Sequence, residues 1–187
     1  LFVGFASYAI LVGWIMITGL FLRQVLGYSN LQVGLALTTL AVGYSVMGFF
    51  VLPLASAWGF RRILALSFFI SAATLAVLAL RIEHHRVDIA FLIATWILGA
   101  ALNTSVNLTL GPILVGLPEH ERSTASAMSQ GSRWLGAAMG SAGCATAWIS
   151  VVRANLPFFS PSIGIEAYRS ALMLLTIVGI VGMLVAP

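Results

Sequence analysis

Residues 31–56 have the sequence LQVGLALTTLAVGYSVMGFFVLPLAS, a run without a single charged side chain. An α-helix rises about 1.5 Å per residue, so about 20 apolar residues cross the ~30 Å hydrocarbon core of a bilayer. The run is longer than that. Because lipid offers no partner to an unpaired backbone N–H or C=O, the segment is predicted to be a transmembrane helix.

Charged residues outside this run divide the remaining sequence in the same way. Uncharged stretches of membrane-spanning length separate most of them, and Gly27 and Pro118 add turn signals between the stretches. Both ends of the chain are apolar, so we expect it to be part of a longer protein. We predict an all-α membrane protein with six transmembrane helices, at residues 1–22, 31–56, 63–80, 89–117, 124–152 and 169–186.

The composition supports a membrane protein and excludes several soluble classes. Of 187 residues, 60% are hydrophobic and 7% are charged, whereas a soluble domain carries about 25% charged residues. A cytosolic enzyme, a disordered segment and a soluble nucleic-acid-binding domain are therefore excluded. The net charge of +4 comes without a basic cluster that could follow phosphates, so no nucleic acid is expected as a partner. The expected partner is the lipid bilayer of the inner or plasma membrane.

The sequence carries no signature of catalysis or metal binding. Cys144 is the single cysteine, which excludes an internal disulfide and a cysteine-rich metal cage. The pair His120-Glu121 lacks the second histidine of a zinc-protease motif, and a chain without lysine cannot complete an ATP-binding P-loop. The predicted spans also contain no Asp, Glu or His. We therefore predict neither an enzyme nor a metal site.

Arg133 is the strongest candidate for a functional residue. It lies nine residues into the predicted fifth helix, which places it ~14 Å along the axis. An arginine at the centre of a span costs roughly 2.5–3.5 kcal/mol on insertion scales, and packing alone does not require that cost. Arg133 should therefore face a cavity or find carbonyl or carboxylate partners. The alternative is a helix that starts later, from which Arg133 reaches the membrane interface.

Two further faces carry polar residues that are candidates for lining a cavity. Asn103 and Asn107 are spaced i, i+4 on the predicted fourth helix, where they either line a cavity or hydrogen-bond to another helix. Ser7, Trp14 and Thr18 share a face of the first helix. Trp14 could offer a stacking surface to an aromatic or cationic ligand, although such a tryptophan is more often packed.

Small residues indicate how the helices pack. Gly136 and Gly140 continue a four-residue spacing from Ser132 to Cys144, which predicts a face that another backbone approaches closely. The second and fifth predicted helices are rich in glycine, and each is followed by a short, plain helix. This order is typical of a three-plus-three inverted repeat, or it reflects chance in an apolar chain.

Several segments resemble, in order, the C-terminal half of the fourteen-helix drug/proton antiporters of the major facilitator superfamily. Residues 23–35 (RQVLGYSNLQVGL) resemble the loop and helix start that open that half. Residues 117–127 and 133–140 resemble the signature of the penultimate helix, and residues 168–171 resemble the entry to the last helix. The resemblance covers nearly the whole chain.

The resemblance implies one bundle of a two-bundle transporter. Its partners would be the N-terminal half of the same polypeptide, a small-molecule substrate and, in some systems, an accessory export protein. Helices one and four would line the central cavity, two and five would lie between the bundles, and three and six would face lipid. Lipophilic, often cationic compounds would be exported in exchange for protons, driven by the proton gradient without a cofactor. A transporter of another solute, such as a sugar, siderophore or metabolite, and a non-transporting membrane scaffold are the alternatives.

One turn resembles a degenerate copy of the facilitator motif that controls conformational change. Gly59 matches the motif's glycine, and Arg61 and Arg62 supply its basic end one position late. Ser56 stands where the motif has aspartate, so we do not expect the charge relay to operate here. Proton-coupling carboxylates are expected in the other half of the transporter.

Overall fold

The computed structural model describes residues 1–81, 87–115, 118–155 and 160–185, and for residues 110–115 it describes the backbone alone. The described residues form six α-helices and no β-strand, and each helix has the length and composition of a membrane span. The prediction of an all-α protein with six membrane-spanning helices is confirmed at this level. The helices are α1 (Phe2–Gln24), α2 (Asn30–Trp58), α3 (Phe60–Arg81), α4 (Ile89–Val115), α5 (Glu119–Ala154) and α6 (Pro161–Val185).

Two helices, α5 and α6, begin five and eight residues earlier than the sequence analysis placed them. α5 starts at Glu119 rather than at residue 124, because Glu119 and Glu121 in its first turn interact favourably with the helix dipole. α6 starts at Pro161 rather than at residue 169, because a proline at the first helical position has a suitable backbone angle and needs no N–H partner. Glu119, Glu121 and Glu166 therefore lie within helices, although the predicted spans contained no acidic residue.

Short turns join the first three helices. Ser29 and Gln32 form a capping box at the start of α2: the Gln32 N–H donates to Ser29 Oγ at 3.4 Å, and the Ser29 N–H donates to Gln32 Oε1 at 2.9 Å. Gly59 alone separates α2 from α3, with φ of +88°. This left-handed value favours glycine, so the residue reverses the chain within one position.

Each of the first three helices packs mainly against one of the last three. α1 packs mainly against α5, α2 against α4, and α3 against α6. α1 also contacts α6, and α3 also contacts α4, so α1 and α3 lie inside the bundle. α2 and α5 keep most of their surfaces exposed.

Glycines set the distance between the two helices in the α1–α5 pair and in the α2–α4 pair. A methyl group on Gly136 or Gly140 of α5 would overlap a carbonyl oxygen of α1, that of Phe5 or Ala9 respectively. The two pairs also show that α1 and α5 run in the same direction. The α2–α4 crossing uses the same device, with Gly43 against the Trp96 carbonyl and Gly99 against the Leu40 carbonyl. Such contacts between backbones are the usual way in which membrane helices associate tightly.

Candidate functional site around Arg133

Arg133 lies buried where three helices meet, with only 4% of its surface exposed. Its Nη2 donates a hydrogen bond to the Val106 carbonyl oxygen of α4 at 2.8 Å. Its Nη1 donates to Gln130 Oε1, one turn earlier on α5, at 3.2 Å. Nε has no hydrogen-bond partner among the described residues. The site therefore holds a permanent cation through a carbonyl and an amide rather than through a carboxylate.

Aromatic rings surround the guanidinium on its other side. The Tyr8 ring of α1 lies against it, with 5.5 Å between the guanidinium carbon and the ring centroid. This distance allows a cation–π interaction. Tyr8 also meets the Trp134 ring edge to face, at 6.2 Å between centroids. Tyr44 of α2 interacts electrostatically with both Arg133 and Tyr8. Residues of α1, α2, α4 and α5 thus converge on one charge.

The structure bears on the two alternatives that the sequence left open for Arg133. α5 starts at Glu119, so Arg133 lies fourteen residues into the helix, about 21 Å along its axis. The side chain reaches across to the Val106 carbonyl of α4 instead of extending along α5 toward the helix end, so Arg133 has the carbonyl partner that was expected. Because a helix can extend beyond the hydrocarbon, the functional role of Arg133 within the membrane stays a prediction.

Asn103 and Asn107 occupy different environments although they share a helix face. Asn107 Nδ2 donates to Asn103 Oδ1 at 2.9 Å and to the Asn103 carbonyl at 3.1 Å. Asn103 is buried and faces Gly48 of α2, where an added methyl group would lie 3.8 Å from its amide nitrogen. Asn107 is exposed. Asn103 therefore lies at the contact between α2 and α4, and Asn107 reaches the open surface. A role for either residue in lining a cavity stays a prediction.

The face of α1 that carries Ser7, Trp14 and Thr18 lies inside the bundle. All three side chains are completely buried. Ser7 Oγ donates to the Val3 carbonyl at 2.9 Å, and the Thr18 hydroxyl hydrogen-bonds to the Tyr168 hydroxyl of α6 at 2.9 Å. The sequence analysis expected these residues to line a cavity. The structure instead places them between packed helices, because this face of α1 is directed toward the interior of the bundle.

Replacing Tyr168 by phenylalanine should destabilise the protein by roughly 1 kcal/mol, because hydrogen bonds between membrane helices contribute about that much or less. The change removes one hydroxyl from the Thr18 pair and keeps the Tyr168 ring stacked on Phe21, where the ring centroids are 4.4 Å apart. Thermal unfolding of the detergent-solubilised protein measures the effect. If these residues only pack, the set of compounds that the protein binds stays unchanged; an altered set would restore a cavity role for Thr18.

The basic turn between α2 and α3 is exposed. Gly59 joins the two helices, and Arg61 and Arg62 follow in the first turn of α3 with exposed side chains. Ser56 Oγ donates to the Pro53 carbonyl of its own helix at 2.8 Å. The hydroxyl that replaces the motif's aspartate is thus engaged within α2. A role for this turn in conformational change stays a prediction.

Sequence reasoning missed Tyr8 and Tyr44, the two tyrosines that approach Arg133. Both lie well inside uncharged stretches that were predicted to be spans, and neither was predicted to have a role. A hydroxyl in the middle of a span needs a polar partner. That requirement was the available signal, and it would have connected both residues to the one charge in the same region.

Within the described ranges, no group of three or more His, Cys, Asp or Glu residues could hold a metal ion. No protein-family model matches the chain. A search of curated proteins found no significant match. The resemblance to drug/proton antiporters therefore rests on the sequence segments alone and stays a prediction.

Proposed function

We propose that the chain is the C-terminal six-helix bundle of a major-facilitator-type secondary transporter in the inner or plasma membrane. It would export lipophilic small molecules in exchange for protons, by alternating access of a cavity between this bundle and an N-terminal one. The observation that carries the proposal is Arg133, a cation buried within the bundle that hydrogen-bonds to the Val106 carbonyl of α4 and lies against the Tyr8 ring of α1.

The cost of burying this charge argues for a function. An ion removed from water costs several kcal/mol unless its partners compensate for the lost hydration. Here the compensation comes from one carbonyl, one amide and one aromatic ring, and Nε is left without a partner in the described chain. An apolar residue of similar size would pack at lower cost. Charged residues within spans generally mark a substrate or ion pathway.

The polarity of α5 supports a water-filled cavity beside it. α5 extends fourteen residues from Arg133 back to Glu119, and α2 extends fourteen residues from Tyr44 forward to Trp58. Both segments run about 21 Å toward the same end of the bundle. The α2 segment 45–58 has the sequence SVMGFFVLPLASAW, and the α5 segment 119–132 has the sequence EHERSTASAMSQGS. The apolar α2 segment suits lipid, and the polar α5 segment suits water. Because the two segments lie at similar depth, an aqueous cavity along α5 explains how the polar segment can lie beside an apolar one.

The helix pairing supports the three-plus-three repeat. The first helix of each set of three packs against the second helix of the other set, as α1 does with α5 and α4 with α2. Each of these crossings is a glycine-mediated contact between backbones. The third helices, α3 and α6, pack against each other. Inverted repeats related by a two-fold axis produce this kind of reciprocal pairing.

A second candidate is a transporter of the same architecture for a small solute that carries a negative charge. The observation that favours it is the sign of the buried charge. The Arg133 guanidinium is a cation, and no described carboxylate forms an ion pair with it. A carboxylate on the substrate would be attracted to this position, whereas a lipophilic cation would depend on the tyrosine rings.

Transport by the whole protein in proteoliposomes tests the proposal and separates the two candidates. A panel of lipophilic dyes, matched in size and differing in charge, is loaded and a pH gradient is imposed. We expect at least one dye to move against its concentration gradient, and a protonophore to stop it. Movement of cationic dyes supports drug export, and movement of anionic dyes alone supports the second candidate. No gradient-driven movement of any dye would contradict the proposed function.

A further inference from the structure

A groove opens at the end of the bundle opposite the polar segment of α5. It lies between the last turns of α1, the second half of α3 and the first half of α4, and its volume is about 450 Å³. That volume lies within the roughly 300–1,000 Å³ of small-molecule sites. The residues lining it are mostly aliphatic or aromatic, and they include Phe21, Leu26, Val77, Phe91, Ala94 and Ile97.

The groove has an open side formed by exposed apolar residues. Val77 of α3 is 49% exposed, and Ile93 and Ile97 of α4 are exposed as well. In a protein with six membrane-spanning helices, such an apolar surface is directed toward hydrocarbon or toward a partner. The groove can therefore be reached by a chain-like apolar molecule from within the membrane.

Two groups of opposite charge line the same groove at one end. Arg81 is the last residue of α3, and Asp88 directly precedes α4. Asp88 Oδ1 accepts a hydrogen bond from the Phe91 N–H at 2.8 Å, which fixes the carboxylate at the start of the helix. The Val87 N–H donates to the Tyr28 hydroxyl at 3.3 Å, which anchors this end of the groove to the turn between α1 and α2. The 22 residues of α3 extend about 33 Å, close to the thickness of the hydrocarbon core, so Arg81 at the end of α3 is expected near the depth of lipid headgroups.

We propose that this groove binds a zwitterionic phospholipid. One acyl chain fills the apolar groove, the phosphate contacts the Arg81 guanidinium, and the headgroup ammonium contacts the Asp88 carboxylate. Each part of the lipid meets a matching part of the protein: hydrocarbon against aliphatic and aromatic side chains, anion against cation, and cation against anion. The inference does not depend on transport, because it concerns a surface separate from the Arg133 site.

Photocrosslinking tests the position of the acyl chain. The whole protein is reconstituted in nanodiscs containing phosphatidylethanolamine with a diazirine in one acyl chain, and the adducts are mapped by mass spectrometry. We expect adducts concentrated on the groove residues of α3 and α4. Val77→Trp, which fills the groove, should reduce them about tenfold, equivalent to about 1.4 kcal/mol. Val42→Trp on α2 is the control, because Val42 is 47% exposed and lies outside the groove. Equal labelling of all exposed helices, unaffected by Val77→Trp, would overturn the proposal.

Headgroup selection tests the two charges separately. Arg81→Gln should reduce groove labelling by phosphatidylethanolamine and by anionic phosphatidylglycerol alike, whereas Asp88→Asn should reduce labelling by phosphatidylethanolamine only. Arg61→Gln, at the opposite end of α3, is the control and should change neither. If Arg81→Gln has no effect, or if the wild-type groove prefers phosphatidylglycerol, the assignment of the headgroup is wrong. Both experiments give their answer whether or not the protein transports a dye.

Discussion

Replacing Arg133 by alanine should abolish transport while the amount of protein in the membrane stays nearly unchanged. The substitution removes the one cation that α1, α2, α4 and α5 surround, together with its hydrogen bond to Val106. Hydrogen bonds to charged groups contribute about 1.5–3 kcal/mol, so the transport rate should fall roughly 10- to 100-fold or more. Folding should survive because a buried charge stabilises a protein little once its desolvation is counted. Transport in proteoliposomes, normalised to the protein that each preparation contains, measures the effect.

Two variants make this result specific. Arg153→Ala removes an exposed arginine from the last turn of the same helix and should leave transport unchanged. Arg133→Lys keeps the charge but loses the planar fork and much of the stacking on Tyr8, so intermediate activity is expected. Normal transport by Arg133→Ala at normal protein levels would show that the buried arginine serves only the packing of α5 against α1 and α4.

The number and type of the helices followed from hydropathy, because the cost of burying charge in lipid leaves long uncharged runs that are visible in the sequence. The starts of α5 and α6 did not follow. Charged residues were taken to mark loops, yet Glu119 and Glu121 stabilise the first turn of α5, and Pro161 begins α6 upstream of Glu166. A helix can extend beyond the hydrocarbon, so charge marks where lipid ends rather than where the helix ends.

Arg133 was predictable from the sequence, but the residues that surround it were not. The depth of Arg133 in an apolar chain required a buried partner, and its length and charge limited that partner to an oxygen or a ring. Which oxygen it finds depends on how α4 and α5 are placed, and no local pattern encodes the position of Val106. The same missing information about helix placement explains why the packing of Ser7, Trp14 and Thr18 was not predicted. Their spacing shows that they share one face of α1, but not which helices pack against that face.

The spacing of glycines predicted helix contacts better than the spacing of polar residues did. Gly136 and Gly140 were expected on a face that another backbone approaches, and the structure places the Phe5 and Ala9 carbonyls against them. The identity of the partner helix was not predictable, because a small-residue face accepts any helix with a compatible surface. The partner determines what a substitution does, since a backbone oxygen, unlike the end of a side chain, cannot rotate away.

Gly136→Ala and Gly140→Ala should each lower the stability of the protein, and the double substitution should prevent it from accumulating. Each added methyl group would overlap a carbonyl oxygen of α1, so the two helices must separate along their contact. Overpacking of this kind typically costs about 1–3 kcal/mol per site. This overpacking cost outweighs the gain in stability of about 1 kcal/mol that alanine brings over glycine within a helix. Thermal unfolding of the detergent-purified variants measures the difference.

Gly131→Ala provides the matched control on the same helix. Apart from the neighbouring backbone of α5 itself, no heavy atom lies within 4 Å of the position that its methyl group would take, and the residue is exposed. It should therefore be neutral or gain stability from helix propensity alone. The α2–α4 crossing allows the same comparison, with Gly99→Ala destabilising and Gly34→Ala harmless, because only Gly99 faces a backbone oxygen. If Gly136→Ala and Gly131→Ala unfold at the same temperature, the α1–α5 contact is not held by the close approach of two backbones. The reciprocal helix pairing would then lose its physical basis.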